Sequence, residues 1–301
     1  MKKVSAGIDI GGTNTVFGWV TPEGQFEWKG SVKTTDYKTP DQLVNEVSTQ
    51  LLANLGTLEA VGVGVGAPNG NFYNGTIEFA PNLNWDGVVP LKDLFNKYFD
   101  LPVLVTNDAN AAALGEMIYG GAKGVNNFIM VTLGTGLGSG IVSNGNIIYG
   151  HDAFAGELGH VIVVPDGRLC GCGRKGCLET YASATGLSKT AYEMVQKKMT
   201  SEQVAKAAFE GEKWALEAFD YTSKILGMAL ANAVAITSPR MIFLFGGLAN
   251  AQDLIFDKTK NYMEENLLPI YKNKVQIVPS SLDGVDAAIL GSSALIWKEL
   301  N

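Results

Sequence analysis

Cysteine and histidine are scarce in this sequence, and long apolar runs are missing. Its 301 residues include three cysteines and two histidines. No stretch approaches the ~18 consecutive apolar residues of a membrane helix, and Asp9 interrupts the N-terminal region before any apolar segment as long as that of a signal peptide. We therefore expect a cytoplasmic protein with no membrane partner.

Basic residues are also in the minority. Lysine and arginine number 23 against 30 aspartates and glutamates, which gives a formal net charge of −7. An acidic chain is a poor match for nucleic acid. The Walker A pattern G-x4-G-K-[ST] is absent, and the one G-x-G-x-x-G run, at Gly171, Gly173 and Gly176, opens no predicted helix. We therefore predict neither a Walker A loop nor a dinucleotide-binding motif.

All the cysteines fall in one loop. Cys170, Cys172 and Cys177 follow a C-x-C-x4-C spacing, and His160 lies ten residues before the first of them. Three sulfurs and an imidazole are the donors of a tetrahedral zinc ion, and the intervening glycines allow tight turns. The alternative is three unrelated core cysteines, but Gly, Arg and Lys between them do not suit a core element. We predict a structural Zn²⁺ held by these four residues.

The predicted metal site has two consequences. No cysteine remains for a disulfide, which suits a reducing cytosol. Carboxylates also bracket the loop, at Glu157 and Glu179. A zinc ion with four protein ligands does not need them, so we expect a polar ligand beside the metal.

Two glycine clusters share one layout. Residues 8–14, IDIGGTN, and residues 131–138, VTLGTGLG, each predict a strand, a glycine turn and a second strand, followed by a tight turn and a third strand. This recurrence indicates a duplicated architecture. Either turn alone could be a plain hairpin. As a pair, each with a hydroxyl at Thr13 or Thr135, they favour cradling of a polyphosphate by backbone N–H groups.

Between the two clusters, a helix is predicted over 40–55 and a buried strand over 60–67, where alternate glycines allow close approach of another backbone. Residues 68–86 predict a long polar loop, and Asn82 and Trp85 suit an ordered loop that binds neutral hydroxyls.

A short strand over 101–106 leads directly into Asn107 and Asp108. Ordinary helix capping would explain either residue. Two such residues at the C-terminal end of a strand, where α/β folds bind ligands, favour a functional site. The alanine-rich segment after them predicts a thin helix that packs closely on a neighbour.

The C-terminal half continues as an α/β pattern. Residues 181–235 read as mostly helical, and strands are predicted over 241–245 and 275–278. Gly246 and Gly247 follow the first of these strands, where phosphates could approach. A closing helix is predicted over 286–299. We predict two domains, an N-terminal one over 1–118, on which residues 286–301 pack back, and a C-terminal one over 119–285 that carries the zinc loop.

These motifs together resemble the ROK family of sugar kinases, within the actin and hexokinase-like superfamily. The resemblance covers most of the chain in the family's order. The matching motifs are Asp9-Ile-Gly-Gly-Thr13, Asn107-Asp108-Ala-Asn-Ala, Leu133-Gly-Thr-Gly-Leu-Gly138, Glu157-Leu-Gly-His160 and Cys170-Gly-Cys-Gly-Arg-Lys-Gly-Cys177-Leu-Glu179.

The resemblance implies an α/β fold of two RNase-H-like domains around a central cleft. It implies an enzyme that transfers a phosphoryl group from ATP, with Mg²⁺, to an aldohexose, and a homodimer. Asp108 matches the catalytic base. His160 is implied to bind zinc with one ring nitrogen and a sugar hydroxyl with the other.

The predicted site has three parts besides this base. The predicted substrate-binding residues are Gly66, Asn82, Asn107, Asp108, Glu157, His160 and Glu179. The predicted ATP-binding residues are Asp9, Gly11, Gly12, Thr13, Asn14, Gly134, Thr135, Gly136, Gly246 and Gly247, with Asp9 also placed to hold Mg²⁺. The predicted metal ligands are His160, Cys170, Cys172 and Cys177.

Alternatives remain open at this point. Some ROK proteins are sugar-responsive repressors with a DNA-binding region before the first glycine motif, which here begins within ten residues of Met1. A non-catalytic zinc protein that binds sugar would not need two phosphate turns together with Asp108. The run APNLNW resembles the glucokinase branch and predicts glucose phosphorylated at its 6-hydroxyl. N-acetylglucosamine, N-acetylmannosamine or fructose are the alternative substrates.

Overall fold

The structure, a computed structural model, describes residues 1–282 and 284–300. Its strands are β1 (Lys3–Ile10), β2 (Asn14–Val20), β3 (Phe26–Lys33), β4 (Glu59–Ala67), β5 (Gly70–Asn71), β6 (Thr76–Glu78), β7 (Val88–Val89), β8 (Val103–Asn107), β9 (Phe128–Leu133), β10 (Leu137–Ser143), β11 (Asn146–Ile147), β12 (Met241–Phe245) and β13 (Gln276–Pro279). Its helices are α1 (Pro40–Ala53), α2 (Leu91–Asn96), α3 (Asp108–Ile118), α4 (Ala184–Val195), α5 (Ser201–Phe209), α6 (Lys213–Thr237), α7 (Phe256–Asn266) and α8 (Gly284–Leu300).

Two five-stranded sheets repeat one topology. The first has the strand order β3-β2-β1-β4-β8 and the second β11-β10-β9-β12-β13. In the first sheet β1, β2 and β3 form an antiparallel meander, and β4 and β8 run parallel to β1. In the second, β9 pairs antiparallel with β10 and parallel with β12, which pairs parallel with β13. This order is that of RNase-H-like domains, so the predicted duplicated α/β fold is confirmed.

Each sheet lies in its own compact unit. Unit 1 comprises Met1–Gly124, Ile147–Ala155 and the C-terminal residues from Ser281, and unit 2 comprises Val125–Asn146 and Gly156–Ser280. Each has its own hydrophobic core. In unit 1, the buried Trp19 of β2 donates from Nε1 to the Leu51 carbonyl of α1 at 2.9 Å. In unit 2, Phe128 and Phe243 meet edge to face across β9 and β12.

The alternate glycines of β4 bring helix α8 against the first sheet. Val63 and Val65 are buried in the unit 1 core, and Gly62, Gly64 and Gly66 face α8. A Cβ at position 64 would overlap the Ser292 carbonyl oxygen. The predicted close approach of another backbone is therefore confirmed.

Helix α3 also packs closely, as its alanine content predicted. A Cβ at Gly115 would lie 2.9 Å from the Cα of Gly291, and one at Gly291 would lie 2.5 Å from the Ala111 carbonyl oxygen. The two helices touch through backbone because neither carries a bulky residue at the contact.

The units differ from the sequence-based division in three places, of which the last is that unit 1 resumes at Ser281 and not at 286. The chain leaves unit 1 after Gly124, six residues beyond the predicted end at 118, and Ile147–Ala155 belongs to unit 1 although it falls within the predicted C-terminal domain. Side chains distant in sequence cause the second difference. Phe72 stacks on Tyr149 at 4.2 Å, and the Tyr73 hydroxyl donates to the Gly150 carbonyl at 2.9 Å.

The segment 68–86 is more regular than the loop that its composition predicts. It contains β5 and β6, which form a small antiparallel sheet with β7. Asn71 is buried and organises the hairpin, since its Oδ1 accepts from the backbone N–H groups of Tyr73 and Asn74 at 3.0 and 3.1 Å. In the described part of the chain, none of the helices combines the length and the apolar character needed to cross a bilayer.

Candidate active site

The C-terminal ends of three neighbouring strands collect polar residues in unit 1. Asp9 of β1 is paired in register with Gly66 of β4, and Ala67 is paired with Asn107 of β8. Parallel strands end at the same edge of a sheet. The sheet therefore places Asp9, Gly66, Asn107 and Asp108 along one edge, although the sequence separates them by up to 99 positions.

Asn107 and Asp108 start helix α3. The Asn107 side chain is the N-cap and accepts from the Ala109 backbone N–H at 2.8 Å, as predicted. Asp108 Oδ1 accepts from the same N–H at 2.7 Å. The helix N-terminus thus orients the Asp108 carboxylate, and solvent reaches this side chain.

The surrounding protein disfavours ionisation of both carboxylates of this edge, and the charge of Asp108 disfavours that of Asp9 further. Dense protein around Asp9 and the charge of Asp108 raise the pKa of Asp9 to about 7. Desolvation by the surrounding protein raises the pKa of Asp108 too, although backbone N–H groups of Ala109 and of Asp108 itself act in the opposite direction. A proton acceptor and a cation ligand both need the ionised form, which a nearby cation would favour.

The first glycine turn lies next to the Asn82 loop. The Gly11 N–H donates to the Asn14 carbonyl at 3.0 Å, which closes the turn between β1 and β2. A Cβ at Gly12 would overlap the backbone oxygen of Asn82. Thr13, Asn14 and Asn82 are exposed. Unit 1 therefore brings the predicted phosphate turn and a predicted sugar residue into contact.

The second glycine turn, in unit 2, is also closed by a backbone hydrogen bond, which spans two residues instead of three. The Gly134 N–H donates to the Gly136 carbonyl at 3.0 Å. Glu179 Oε2 accepts from the Leu137 N–H at 3.1 Å, and a Cβ at Gly136 would overlap that oxygen.

The two remaining glycines of the predicted ATP-binding set, Gly246 and Gly247, adjoin this turn. The Leu248 N–H donates to the Leu133 carbonyl at 3.1 Å, and a Cβ at Gly246 would lie 2.7 Å from the same oxygen. Gly246 and Gly247 therefore lie beside the turn that starts at Gly134.

The four predicted metal ligands converge. The ligand atoms of His160, Cys170, Cys172 and Cys177 all lie within 4.8 Å of one another. The two closest pairs are Cys172 Sγ with Cys177 Sγ at 3.6 Å and Cys170 Sγ with His160 Nδ1 at 3.7 Å. Sulfurs bound at 2.3 Å to one tetrahedral ion lie about 3.8 Å apart. The donor set and its spacing therefore fit a four-coordinate metal ion.

The pKa values of the cysteine thiols are shifted in different directions. Desolvation raises the pKa of Cys170 to about 12. For Cys172, desolvation is outweighed by hydrogen bonds, first from the Arg174 backbone N–H and then from its side chain, which lower the pKa to about 6. Thiolates are the form that binds metal. The exposed Cys172 therefore offers a thiolate near neutral pH before an ion arrives.

His160 has a different neighbour on each ring nitrogen. Its Nδ1 faces Cys170, and its Nε2 lies 4.0 Å from Glu157 Oε2. A metal bound at Nδ1 would leave Nε2 available to a further ligand beside Glu157. This is the division of roles that the family resemblance implies.

The predicted residues thus form two groups, one in each unit. Unit 1 assembles Asp9, the turn 11–14, Gly66, Asn82, Asn107 and Asp108, and unit 2 assembles the turn 134–136, Glu157, Glu179, Gly246, Gly247 and the metal cluster. The sequence analysis missed Ser292, whose Oγ accepts from the Gly66 N–H at 3.2 Å. Nothing distinguishes this serine from Ser293 in the sequence of α8.

Comparisons with known proteins agree with this architecture. The ROK family model matches residues 5–299, and a glucokinase of Halalkalibacterium halodurans is 34% identical over 98% of this chain and 95% of its own. This chain belongs to the ROK family.

Two further relatives bear on its function. The crystal structure of a Streptomyces griseus ROK family glucokinase in complex with glucose and AMPPNP is 31% identical, with a TM-score of 0.82 and coverage of 97% of this chain and 98% of that one. The xylose repressor of Bacillus subtilis is 27% identical over 97% of this chain and 76% of its own.

Proposed function

We propose that this protein is an ATP-dependent hexokinase that converts glucose to glucose 6-phosphate. The observation that supports this proposal most directly is the position of Asp108. Its carboxylate is oriented by a helix N-terminus, at the sheet edge where Asp9 also lies. Glucokinases are among its relatives over nearly the full chain, and a ROK glucokinase of the same fold binds glucose and AMPPNP. These similarities support both the reaction and the sugar.

Asp108 is the proposed general base. It accepts the proton of the sugar 6-hydroxyl as that oxygen forms its bond to the γ-phosphorus of ATP, and the bond to the β-phosphate oxygen breaks with its electron pair leaving on ADP. The N-terminus of α3 stabilises the ionised carboxylate before the transfer. Most of the remaining catalysis is positioning of the two substrates.

The other site residues divide by chemistry. Asn82, Asn107, Glu157, His160 and Glu179 supply amide, carboxylate and imidazole groups that suit neutral hydroxyls, and Gly66 leaves room beside them. The glycine turns 11–14 and 134–136, with Gly246 and Gly247, present backbone N–H groups to the phosphates. Asp9 would hold Mg²⁺, which neutralises phosphate charge during transfer.

The metal cluster is the proposed structural zinc site. Its four protein donors leave no open position, so the ion stabilises the loop and takes no part in the transfer. His160 Nε2 and Glu179 are then held for the sugar by the loop. Reduced thiol ligands and an ATP substrate also suit the cytoplasm. We further expect a homodimer, which light scattering would test.

The test is a sugar panel. Turnover should be measured by ADP release with glucose, mannose, fructose, N-acetylglucosamine and N-acetylmannosamine at fixed Mg–ATP. We expect the highest kcat/KM with glucose, because a site built to hydrogen-bond a hydroxyl rejects an analogue lacking it by up to ~10⁴-fold. Discrimination against an acetamido group at C2 is instead a matter of the space around C2. A tenfold preference for either N-acetyl sugar would refute the glucose assignment and retain the hexose kinase.

The similarity to a xylose repressor supports a second candidate, a sugar-responsive regulator. Such a protein would bind sugar without turning over ATP. Calorimetric binding of glucose or xylose together with no ADP release from any sugar in the panel would favour it over the kinase.

A further inference from the structure

Arg168 lies in the segment that leads into the cysteine loop, and its side chain uses every donor it has. Nη1 donates to the carbonyl oxygens of Thr180 at 2.7 Å and Gly186 at 3.2 Å. Nη2 donates to Thr190 Oγ1 at 2.9 Å and Glu193 Oε2 at 2.6 Å, and Nε donates to Glu193 Oε1 at 3.0 Å. These contacts occupy all five guanidinium N–H groups, and 12% of the side chain is exposed.

The same arginine holds Tyr181 from two directions. Its guanidinium carbon lies 4.6 Å from the centroid of the Tyr181 ring, and its backbone N–H donates to the Tyr181 hydroxyl at 2.9 Å. A Cβ at Gly167 would overlap that hydroxyl, so glycine at this position leaves room for the Tyr181 side chain. Lysine cannot take over this role, because its ammonium group is a point charge that neither donates in a planar fork nor stacks on a ring.

The hydrogen bond from Arg168 to the Thr180 carbonyl matters because the residue before Thr180 is Glu179, a predicted sugar ligand. Leu178–Thr180 is a 3₁₀ turn that starts directly after the metal ligand Cys177. Within that turn, Glu179 Oε2 accepts from the Leu137 N–H of the second glycine turn, and Glu179 Oε1 lies 3.5 Å from Cys170 Sγ. One carboxylate therefore contacts both the proposed phosphate turn and the metal cluster.

We propose that Arg168 is a positioning residue for the active site. It fixes the Thr180 carbonyl to helix α4, which sets the backbone of Glu179 and, through its carboxylate, the glycine turn at Leu137. The proposal rests on the proposed function in that Glu179 is taken as a hexose ligand and the turn as a nucleotide ligand. It predicts that a residue outside both sites governs affinity for both substrates.

The test compares Arg168→Met and Arg168→Lys with the control Lys206→Met. Binding of Mg–ADP alone and of glucose alone is measured by calorimetry, together with metal content and thermal unfolding. We expect Arg168→Met to weaken both ligands by about tenfold or more, since it removes charge-assisted hydrogen bonds, and Arg168→Lys to recover only part of each loss. Lys206→Met should change each affinity by less than about twofold, because the Lys206 side chain in α5 is 78% exposed.

The metal content should stay at the wild-type level in all variants, because the four ligands are intact. A lower unfolding temperature with wild-type affinities would reduce Arg168 to a purely structural role and overturn the proposal. Loss of the metal in the Arg168 variants would also overturn it, since Arg168 would then act on the metal site. If Arg168→Met does not fold, Arg168→Lys decides by the same criteria.

Failure of the proposed function would be seen in the turnover of the wild-type protein, and not in the binding measurements on the Arg168 variants. If the wild-type protein releases no ADP with glucose, the kinase assignment fails. The Arg168 variants still report on the glycine turn through Mg–ADP binding relative to the wild type.

Discussion

At the residue scale, the proposed chemistry depends on two carboxylates at one sheet edge. Asp108 accepts a backbone N–H at the start of α3 and keeps an exposed surface, although the protein around its carboxyl group raises its pKa. Asp9 is partly buried, and its pKa is raised to about 7 by desolvation and by the charge of Asp108. In the proposed mechanism, Asp108 takes a proton from the substrate and Asp9 holds a cation.

Replacing Asp108 by Asn tests the base directly. Asparagine keeps the size of the side chain and can cap the helix, but it accepts no proton. We expect kcat with glucose to fall by about 100-fold or more, while the calorimetric Kd for glucose changes little. Asp93→Asn, at an exposed site in α2, is the control and should keep wild-type turnover. Near-normal kcat in Asp108→Asn would contradict the assignment.

The raised pKa of Asp9 predicts a pH-dependent difference in stability. In the unfolded chain this carboxyl ionises near 3.8, whereas in the folded protein it stays protonated to about pH 7. The folded state therefore binds the extra proton between these values, so the stability that Asp9 contributes falls as the pH rises from about 4 and is fully lost above about 7.

In Mg²⁺-free buffer, Asp9→Asn should unfold at the wild-type temperature near pH 4. At pH 8 it should be more stable than the wild type by on the order of 1 to 3 kcal/mol. Thermal unfolding of both proteins from pH 4 to 8 measures this difference. Parallel stability curves would show that Asp9 has an ordinary pKa.

At the element scale, the glycines of β4 determine how helix α8 lies on the first sheet. Gly64→Ala would place a methyl group on the Ser292 carbonyl oxygen, so the helix or the strand must move. Overpacking of this kind costs about 1–3 kcal/mol, and we expect the unfolding temperature to fall by about 5 °C or more.

The control for this substitution is Gly247→Ala. Nothing lies within 4 Å of a Cβ at that position, so its unfolding temperature should match that of the wild type. Equal unfolding temperatures for all three proteins would show that α8 tolerates displacement.

At the scale of the whole molecule, the two units have separate cores, and the proposed metal lies in only one of them. Removing zinc with a chelator should therefore loosen unit 2 around the loop 160–181 and leave the core strands of unit 1 unchanged. Hydrogen–deuterium exchange before and after chelation measures this. Cys172→Ser should reproduce the pattern, and unchanged exchange in the loop, or no zinc in the purified protein, would contradict a structural zinc.

The fold was largely predictable because its signals are local or repeated. The duplicated strand–turn pattern predicted two similar sheets, and the alternation of valine and glycine over 60–67 predicted a strand that another backbone approaches. The capping role of Asn107 was predictable for the same reason, since its donor lies two residues away.

Contacts between distant segments were not predictable in this way. The transfer of Ile147–Ala155 to unit 1 depends on aromatic packing with Phe72 and Tyr73, and strand β6 within 68–86 pairs with β7 as well as with β5. The composition of residues 68–86 predicted only a polar loop. Pairing partners more than ten residues away leave no periodic signal in either segment.

The sequence by itself determined the kind of chemistry, because residue types and spacing restrict it: four soft donors for a metal, glycine turns for phosphates, and a carboxylate at a helix start. The tertiary structure decided which of these groups meet. The alignment of Asp9 with Asp108, the contact of Glu179 with Leu137 and the anchoring of Thr180 by Arg168 join residues that lie 99, 42 and 12 positions apart in the chain. Strand register and helix packing fix such distances, and both depend on the burial of whole faces.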